Sequence, residues 1–98
     1  MLKKTLSKNG KTYHVTFTVP AGADAQEIYL CGEFNDWDES SHPLQRRTDG
    51  RFSTTLVLEA GRSYRYRYLF DGERWENDED ADAYQPNPFG GDDSIVQL

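Results

Sequence analysis

An all-β sandwich of about seven short strands is the fold this sequence predicts, on three observations. Apolar and polar residues alternate with period two, most plainly over residues 13–19 and 63–70. Turn-forming residues, among them the pairs Asp49-Gly50 and Asp71-Gly72, interrupt these runs at short intervals. No segment repeats its apolar residues at helical spacing.

The elements follow in order. Tyr13, Val15, Phe17 and Val19 point one way and His14, Thr16 and Thr18 the other, a half-buried strand that Pro20 and Gly22 stop. Ile28-Tyr29-Leu30-Cys31 reads as a second strand ending at Gly32, and Pro43–Arg46 as a short edge strand. Asp49-Gly50 marks a hairpin into Arg51–Leu58, rich in Thr, Val and Leu, and Gly61 opens the next turn. Over Ser63–Phe70, Tyr64, Tyr66, Tyr68 and Phe70 form a core-facing row, with Arg65, Arg67 and Leu69 opposite. Asp71-Gly72 leads to a short strand around Trp75, a long polar loop runs through Pro86, Pro88, Gly90 and Gly91, and Ser94–Leu98 closes the fold. This count and spacing suit an immunoglobulin-like sandwich in one domain, residues 1–98.

Composition narrows the function. The hydrophobic set is 36% of the 98 residues, and aromatics, at 13%, supply much of the area a small core needs. A net charge of −6 repels the phosphates of nucleic acid and of anionic membrane, so neither is an expected partner. No apolar run has the length of a membrane span, and Met1–Gly10 lacks the apolar stretch of a signal peptide, so the expected compartment is the cytoplasm. Cys31 is the only cysteine, which leaves no internal disulfide and no cysteine-based zinc site. Charge is uneven: residues 1–20 carry only lysines, whereas residues 71–93 carry nine carboxylates against Arg74. These are two solvated surfaces of opposite sign, or a basic N-terminal segment lying against the acidic stretch.

Catalytic patterns are missing. There is no Gly-x-Ser-x-Gly elbow, no His-Glu-x-x-His and no phosphate loop, His14 reads as a solvated strand residue and His42 as a turn residue. An enzyme is not expected, nor a cofactor. Asp78-Glu79-Asp80-Ala81-Asp82 begins like a calcium loop but has Ala83 at the glycine position and Phe89 at the bidentate glutamate position, so it reads as a solvated charge run with no metal. Trp37 and Trp75 are different. Both sit among turn formers and charges, outside any alternating run, and they either form a binding surface or plug the ends of the sandwich. Flat indoles beside amide, carboxylate and guanidinium groups suit a sugar. An indole covers the apolar C–H face of a pyranose, worth about 1 kcal/mol per stack, and polar neighbours satisfy the hydroxyl rim.

The segment Ile28–Trp37, containing Gly32-Glu33-Phe34-Asn35-Asp36-Trp37, resembles the V-x-G-x-F-N-x-W stretch of the isoamylase-type early-set domains, the family 48 carbohydrate-binding modules. The likeness continues at Gly61–Gly72, at Trp75-Glu76-Asn77-Asp78 and at Asn87-Pro88-Phe89-Gly90, and covers the chain from about Val15 to Leu98. Such modules occur in glycogen-branching and debranching enzymes and in the β subunit of AMP-activated protein kinase. The resemblance implies an early-set immunoglobulin-like sandwich and a non-catalytic module for glycogen, starch or maltooligosaccharide. It implies Trp37 and Trp75 as stacking residues, Arg67 in place of a sugar-contacting lysine, Phe89 in place of a leucine that reaches through the sugar ring, and Asp93 in place of an asparagine that bonds sugar hydroxyls. Aspartate there offers acceptors only. It also admits a protein-interaction or scaffold domain with a vestigial sugar site, accessory to a glucan-metabolising enzyme as partner.

Overall fold

The computed structural model describes residues 2–98 as two antiparallel sheets packed face to face, an immunoglobulin-like sandwich. Nine strands appear among these residues: β1 (Leu2–Leu6), β2 (Thr12–Val19), β3 (Ile28–Gly32), β4 (Gln45–Arg46), β5 (Phe52–Glu59), β6 (Ser63–Phe70), β7 (Arg74–Glu76), β8 (Ala83–Pro86) and β9 (Asp92–Gln97). The first sheet has the order β1-β2-β5-β4 and the second β3-β6-β9-β8. β7 pairs with the far end of β6, so β9 and β7 share one flank of that strand in succession while β3 takes the other.

The alternating runs became strands with the expected faces. Val15 and Phe17 of β2 are wholly buried and pack, with Phe52 and Leu58, against Ile28, Leu30, Tyr64, Tyr66, Tyr68 and Val96 of the second sheet. Phe17 meets Tyr66 edge-on with ring centroids 5.0 Å apart.

β1 and β8 were not expected. β1 is exposed along almost its whole length and β8 is mostly exposed, so neither carries the apolar alternation that marks a buried strand. Both are held by backbone ladders, β1 to β2 and β8 to β9. β1 also brings the lysines toward the acidic stretch: Lys4 Nζ lies 2.5 Å from Asp82 Oδ2 and donates to the Gln97 carbonyl at 3.1 Å. This contact is partly solvated and so is worth little stability, but it ties the first strand of one sheet to the last strand of the other.

Two residues depart from their expected settings. Leu69 lies on the outward face of β6, opposite Trp75 in register, and is nonetheless buried. Asp78 is not part of a solvated charge run. It is 3% exposed, and its Oδ2 accepts from the hydroxyls of Tyr66 at 2.8 Å and Tyr68 at 3.1 Å. A tyrosine row in a core must find partners for its O–H groups, and this carboxylate supplies them.

Cys31 is a buried free thiol. Burial, with smaller contributions from the charges of Glu39 and Asp38, pushes it from 9.0 up to about 11. Burial, the neighbouring phenol and the Asp78 carboxylate push Tyr66 well above the phenol range, and burial and Asp78 do the same to Tyr68. The unfolded chain releases these protons at their ordinary values, 9.0 for the thiol and 10.0 for the phenols. Above about pH 9 the unfolded state therefore binds fewer protons than the folded one, so stability complete below that pH declines as pH rises. Denaturant melts across this range are expected to show the decline. A thiol reagent should label Cys31 slowly in the native protein and fast in denaturant. Rapid native labelling, or phenolate absorbance showing all six tyrosines ionising together before unfolding, would contradict this burial.

Candidate functional site

A groove of about 610 Å³ crosses the outer face of the second sheet, lined by Glu33, Trp37, Glu39, Arg65, Arg67, Trp75, Asn87, Pro88, Phe89 and Asp93. All five residues singled out from the sequence, Trp37, Trp75, Arg67, Phe89 and Asp93, lie in this one groove although they come from separate parts of the chain. Neither indole belongs to the core between the sheets, so the two tryptophans do not act as end plugs.

Trp37 is placed by the six residues from Gly32. Gly32 has extended backbone and lies so close to β6 that a Cβ there would stand 2.5 Å from the Arg65 carbonyl oxygen. Glu33 turns its Oε1 to accept the Arg65 N–H at 2.7 Å, beyond the last β3–β6 pair. Phe34 reaches back to Phe17 and Tyr64. Asn35 closes the 3-10 turn Glu33–Asn35: its Oδ1 accepts from Gly32 N at 3.0 Å and its Nδ2 donates to Leu30 O at 2.9 Å. Asp36 and Trp37 then take left-handed backbone, with φ of 54° and 58°. That is uncommon for a bulky residue, and it is held here by the Trp37 N–H donating to Gly32 O at 2.9 Å. The result turns the chain out of the sheet and sets the indole, half-buried, on the groove wall. Just beyond, the N–H and hydroxyl of Ser40 hold the Asp38 carboxyl below its ordinary range.

Trp75 is set by β7, two residues past the Asp71-Gly72 turn. Asp71 anchors that turn: its Oδ1 accepts from the N–H groups of Gln26 and Glu27, which holds its carboxyl below the usual range. The indole is 37% exposed, and the Arg67 guanidinium lies 5.9 Å from its ring centroid. Arg67 also donates to the Trp75 carbonyl at 3.4 Å. Its Nε is buried and finds no hydrogen-bond partner among the described residues, an unmet donor of the kind that concentrates at functional sites.

The opposite wall is the tight loop between β8 and β9. Asn87 Oδ1 accepts from Phe89 N at 2.9 Å and Gly91 N at 3.2 Å, and Asn87 N donates to Gly91 O at 2.8 Å. Gly90, at φ 88°, supplies the left-handed residue the turn requires. This loop thrusts Phe89 into solvent, 93% exposed. Asp93 is buried below it, with Oδ1 accepting from Asn87 Nδ2 at 3.1 Å and Oδ2 from Arg65 Nη1 at 3.3 Å.

Five lining residues were not singled out from the sequence. Arg65 was legible in principle, since it shares the outward face of β6 with Arg67 two positions away. Glu33, Glu39, Asn87 and Pro88 lie in turns, where no periodicity reports which way a side chain points. The groove thus has aromatic walls and a floor carrying guanidinium and carboxylate groups, an arrangement that covers flat apolar faces and exchanges hydrogen bonds with polar edges.

A family described as the glycogen recognition site of AMP-activated protein kinase matches residues 13–91. Relatives include the 1,4-alpha-glucan branching enzyme GlgB of Aquifex aeolicus, 33% identical over 90 residues, which cover 90% of this chain and 14% of that enzyme. GlgB of Halothermothrix orenii is 39% identical over 61 residues, covering 62% of this chain and 9% of the enzyme. The 1,4-alpha-glucan-branching enzyme of Dictyostelium discoideum is 55% identical over 29 residues, covering 30% of this chain and 4% of the enzyme. The chain thus spans only a small part of the length of these enzymes.

Proposed function

Since this chain belongs to the family of the glycogen recognition site of AMP-activated protein kinase, a family of non-catalytic carbohydrate-binding modules, we propose that its groove binds chains of α-glucan such as glycogen, starch or maltooligosaccharide. The observation that carries the reading is the convergence of Trp37, Trp75 and Phe89 around one open groove with Arg67 and Asp93 at its base. Trp37 and Trp75 cover the apolar faces of successive glucose units, Phe89 adds a third apolar surface from the facing loop, and Arg67 donates to ring hydroxyls. Asp93 contributes from the floor, where Arg65 and Asn87 hold its carboxylate. No step of bond making belongs to this site. The likeness to branching enzymes supports a role beside a glucan-metabolising enzyme, delivering glucan to it, and the free thiol of Cys31 suits the reducing cytoplasm.

Two indole stacks plus a few solvated hydrogen bonds give about −4 to −7 kcal/mol, that is, affinities from roughly millimolar to about ten micromolar. Titration with maltoheptaose is expected to change tryptophan fluorescence in this range. Trp37→Ala and Trp75→Ala should each weaken binding about five- to thirtyfold, the loss of one stack, while the melting temperature moves little because both rings lie outside the core. Arg67→Ala should cost less. A parent protein that neither responds to millimolar maltoheptaose nor sediments with glycogen would end the glucan reading and leave a scaffold domain of the same fold.

A further inference from the structure

Arg65 differs from its neighbour Arg67 in how its charge is used. Arg67 lies beside an indole with a buried donor unmatched, whereas the Arg65 guanidinium makes several bonds, all to the two strands that flank the Phe89 loop. Its Nη2 donates to Gln85 Oε1 at 2.6 Å, and its Nη1 donates to Pro86 O at 3.3 Å and to Asp93 Oδ2 at 3.3 Å. Gln85 and Pro86 end β8 and Asp93 lies in β9, so the guanidinium bridges both stems of the loop that carries Phe89. Asp93 passes the restraint on. Its other oxygen takes Asn87 Nδ2, and Asn87 Oδ1 takes the N–H groups of Phe89 and Gly91.

The chain of contacts runs from the central strand of the sheet to the most exposed aromatic ring of the protein. Phe89 has no packing of its own to hold it, so its position depends on the loop beneath. A loop ordered before the ligand arrives does not lose that freedom on binding.

We infer that Arg65 is a positioning residue for the groove: through Asp93, Gln85 and Pro86 it fixes the Phe89 loop in its ligand-ready geometry without itself needing to touch the ligand. The inference rests on the glucan reading for its effect on affinity, but its structural half stands apart from any sugar. The replacement of a guanidinium leaves the backbone bond from Arg65 N to Glu33 intact, so the Trp37 side of the groove is undisturbed.

The test is a double-mutant cycle with maltoheptaose as probe, joined to backbone relaxation of residues 87–91 without sugar. Arg65→Ala and Phe89→Ala are each expected to weaken binding about five- to tenfold, the scale of one partial aromatic contact. The double variant should bind no worse than Arg65→Ala alone, because a ring on a loosened loop has little left to lose. Arg65→Gln, which keeps more of the packing, covers the case in which the alanine variant folds poorly. In the sugar-free arm the order of residues 87–91 should fall in the Arg65 variants while Trp75 and its strand stay rigid. Losses that multiply in the double variant would mean that Arg65 acts independently of Phe89, and would overturn the inference, as would an Arg65 variant with parental affinity. If the parent binds no glucan, the relaxation arm decides: a loosened loop upholds the clamp and removes only its ligand, and an unchanged loop refutes the clamp itself.

Discussion

Asp78→Ala is expected to destabilise the protein by about 3–5 kcal/mol, the cost of breaking a buried, charge-assisted hydrogen-bond cluster from one side. The carboxylate receives two phenol hydroxyls, from Tyr66 at 0% exposure and Tyr68 at 2%. Its Oδ1 also accepts the Asp80 N–H at 2.9 Å, its backbone N–H donates to Ser94 Oγ at 2.9 Å, and its carbonyl accepts the Tyr84 hydroxyl. Alanine leaves both buried phenols without their carboxylate acceptor. A domain of this size has a total stability of about 5–15 kcal/mol, so the variant stands near the edge of folding. Tyr66→Phe and Tyr68→Phe each remove one donor while the carboxylate keeps others, and each should cost less, about 1.5–3 kcal/mol. Urea unfolding of the three variants checks the order. A loss below about 1 kcal/mol for Asp78→Ala would mean that the cluster is not a structural hub.

Gly32→Ala is expected to cost about 3 kcal/mol, near the upper end for overpacking, and to lower the melting temperature by about 10–20 °C. The reason is room, not backbone freedom. Gly32 has φ −172° and ψ −174°, which any residue adopts, but its Cβ would meet the Arg65 carbonyl at 2.5 Å, Phe34 Cζ at 2.8 Å and Tyr66 Cβ at 2.9 Å. The carbonyl belongs to the central strand of the second sheet and the Tyr66 Cβ to the core, so neither can yield without opening the β3–β6 ladder or the core, while Phe34 packs against the core from its edge. Calorimetry gives the shift. The same variant should bind maltoheptaose more weakly than its residual fold would suggest, because the turn that aims Trp37 begins at this residue. A variant with parental stability and affinity would show that β3 and β6 separate more easily than this packing implies.

Much of the fold was legible because burial writes itself into period two. β2 alternates over residues 13–19 and β6 over most of its length up to Tyr68, and their inward faces belong to the core. The exposed strands β1 and β8 left no such trace: a strand held by backbone bonds at a sheet edge needs no particular side chains, so its sequence looks like a loop. The same limit hid the state of Asp78. Nothing in Asp78-Glu79-Asp80 distinguishes the residue that turns inward from those that face water, because its partners lie twelve and ten positions back along the chain.

At the groove the division is similar. The sequence by itself set two indoles among turn formers, outside any alternating run, and arginines opposite the tyrosine row; it left the indoles as either a binding surface or end plugs, and only the family resemblance added Phe89 and Asp93. The turn that carries Trp37 is local in the bonds of Asn35 to Gly32 and Leu30, but it is seated by tertiary contacts, Glu33 on Arg65 and Phe34 on Phe17. Only the tertiary structure decided that these side chains meet. β6 lies between β3 on one side and β9 and β7 on the other, which brings residues 37, 67, 75, 89 and 93 to one face. It likewise decided that Asp93 faces Arg65 and Asn87, so that a residue chosen as a ligand contact is also a support for the loop above it. The physical reason is that a local pattern records how a residue relates to water and to its own strand, whereas strand order is fixed by packing between residues far apart in sequence.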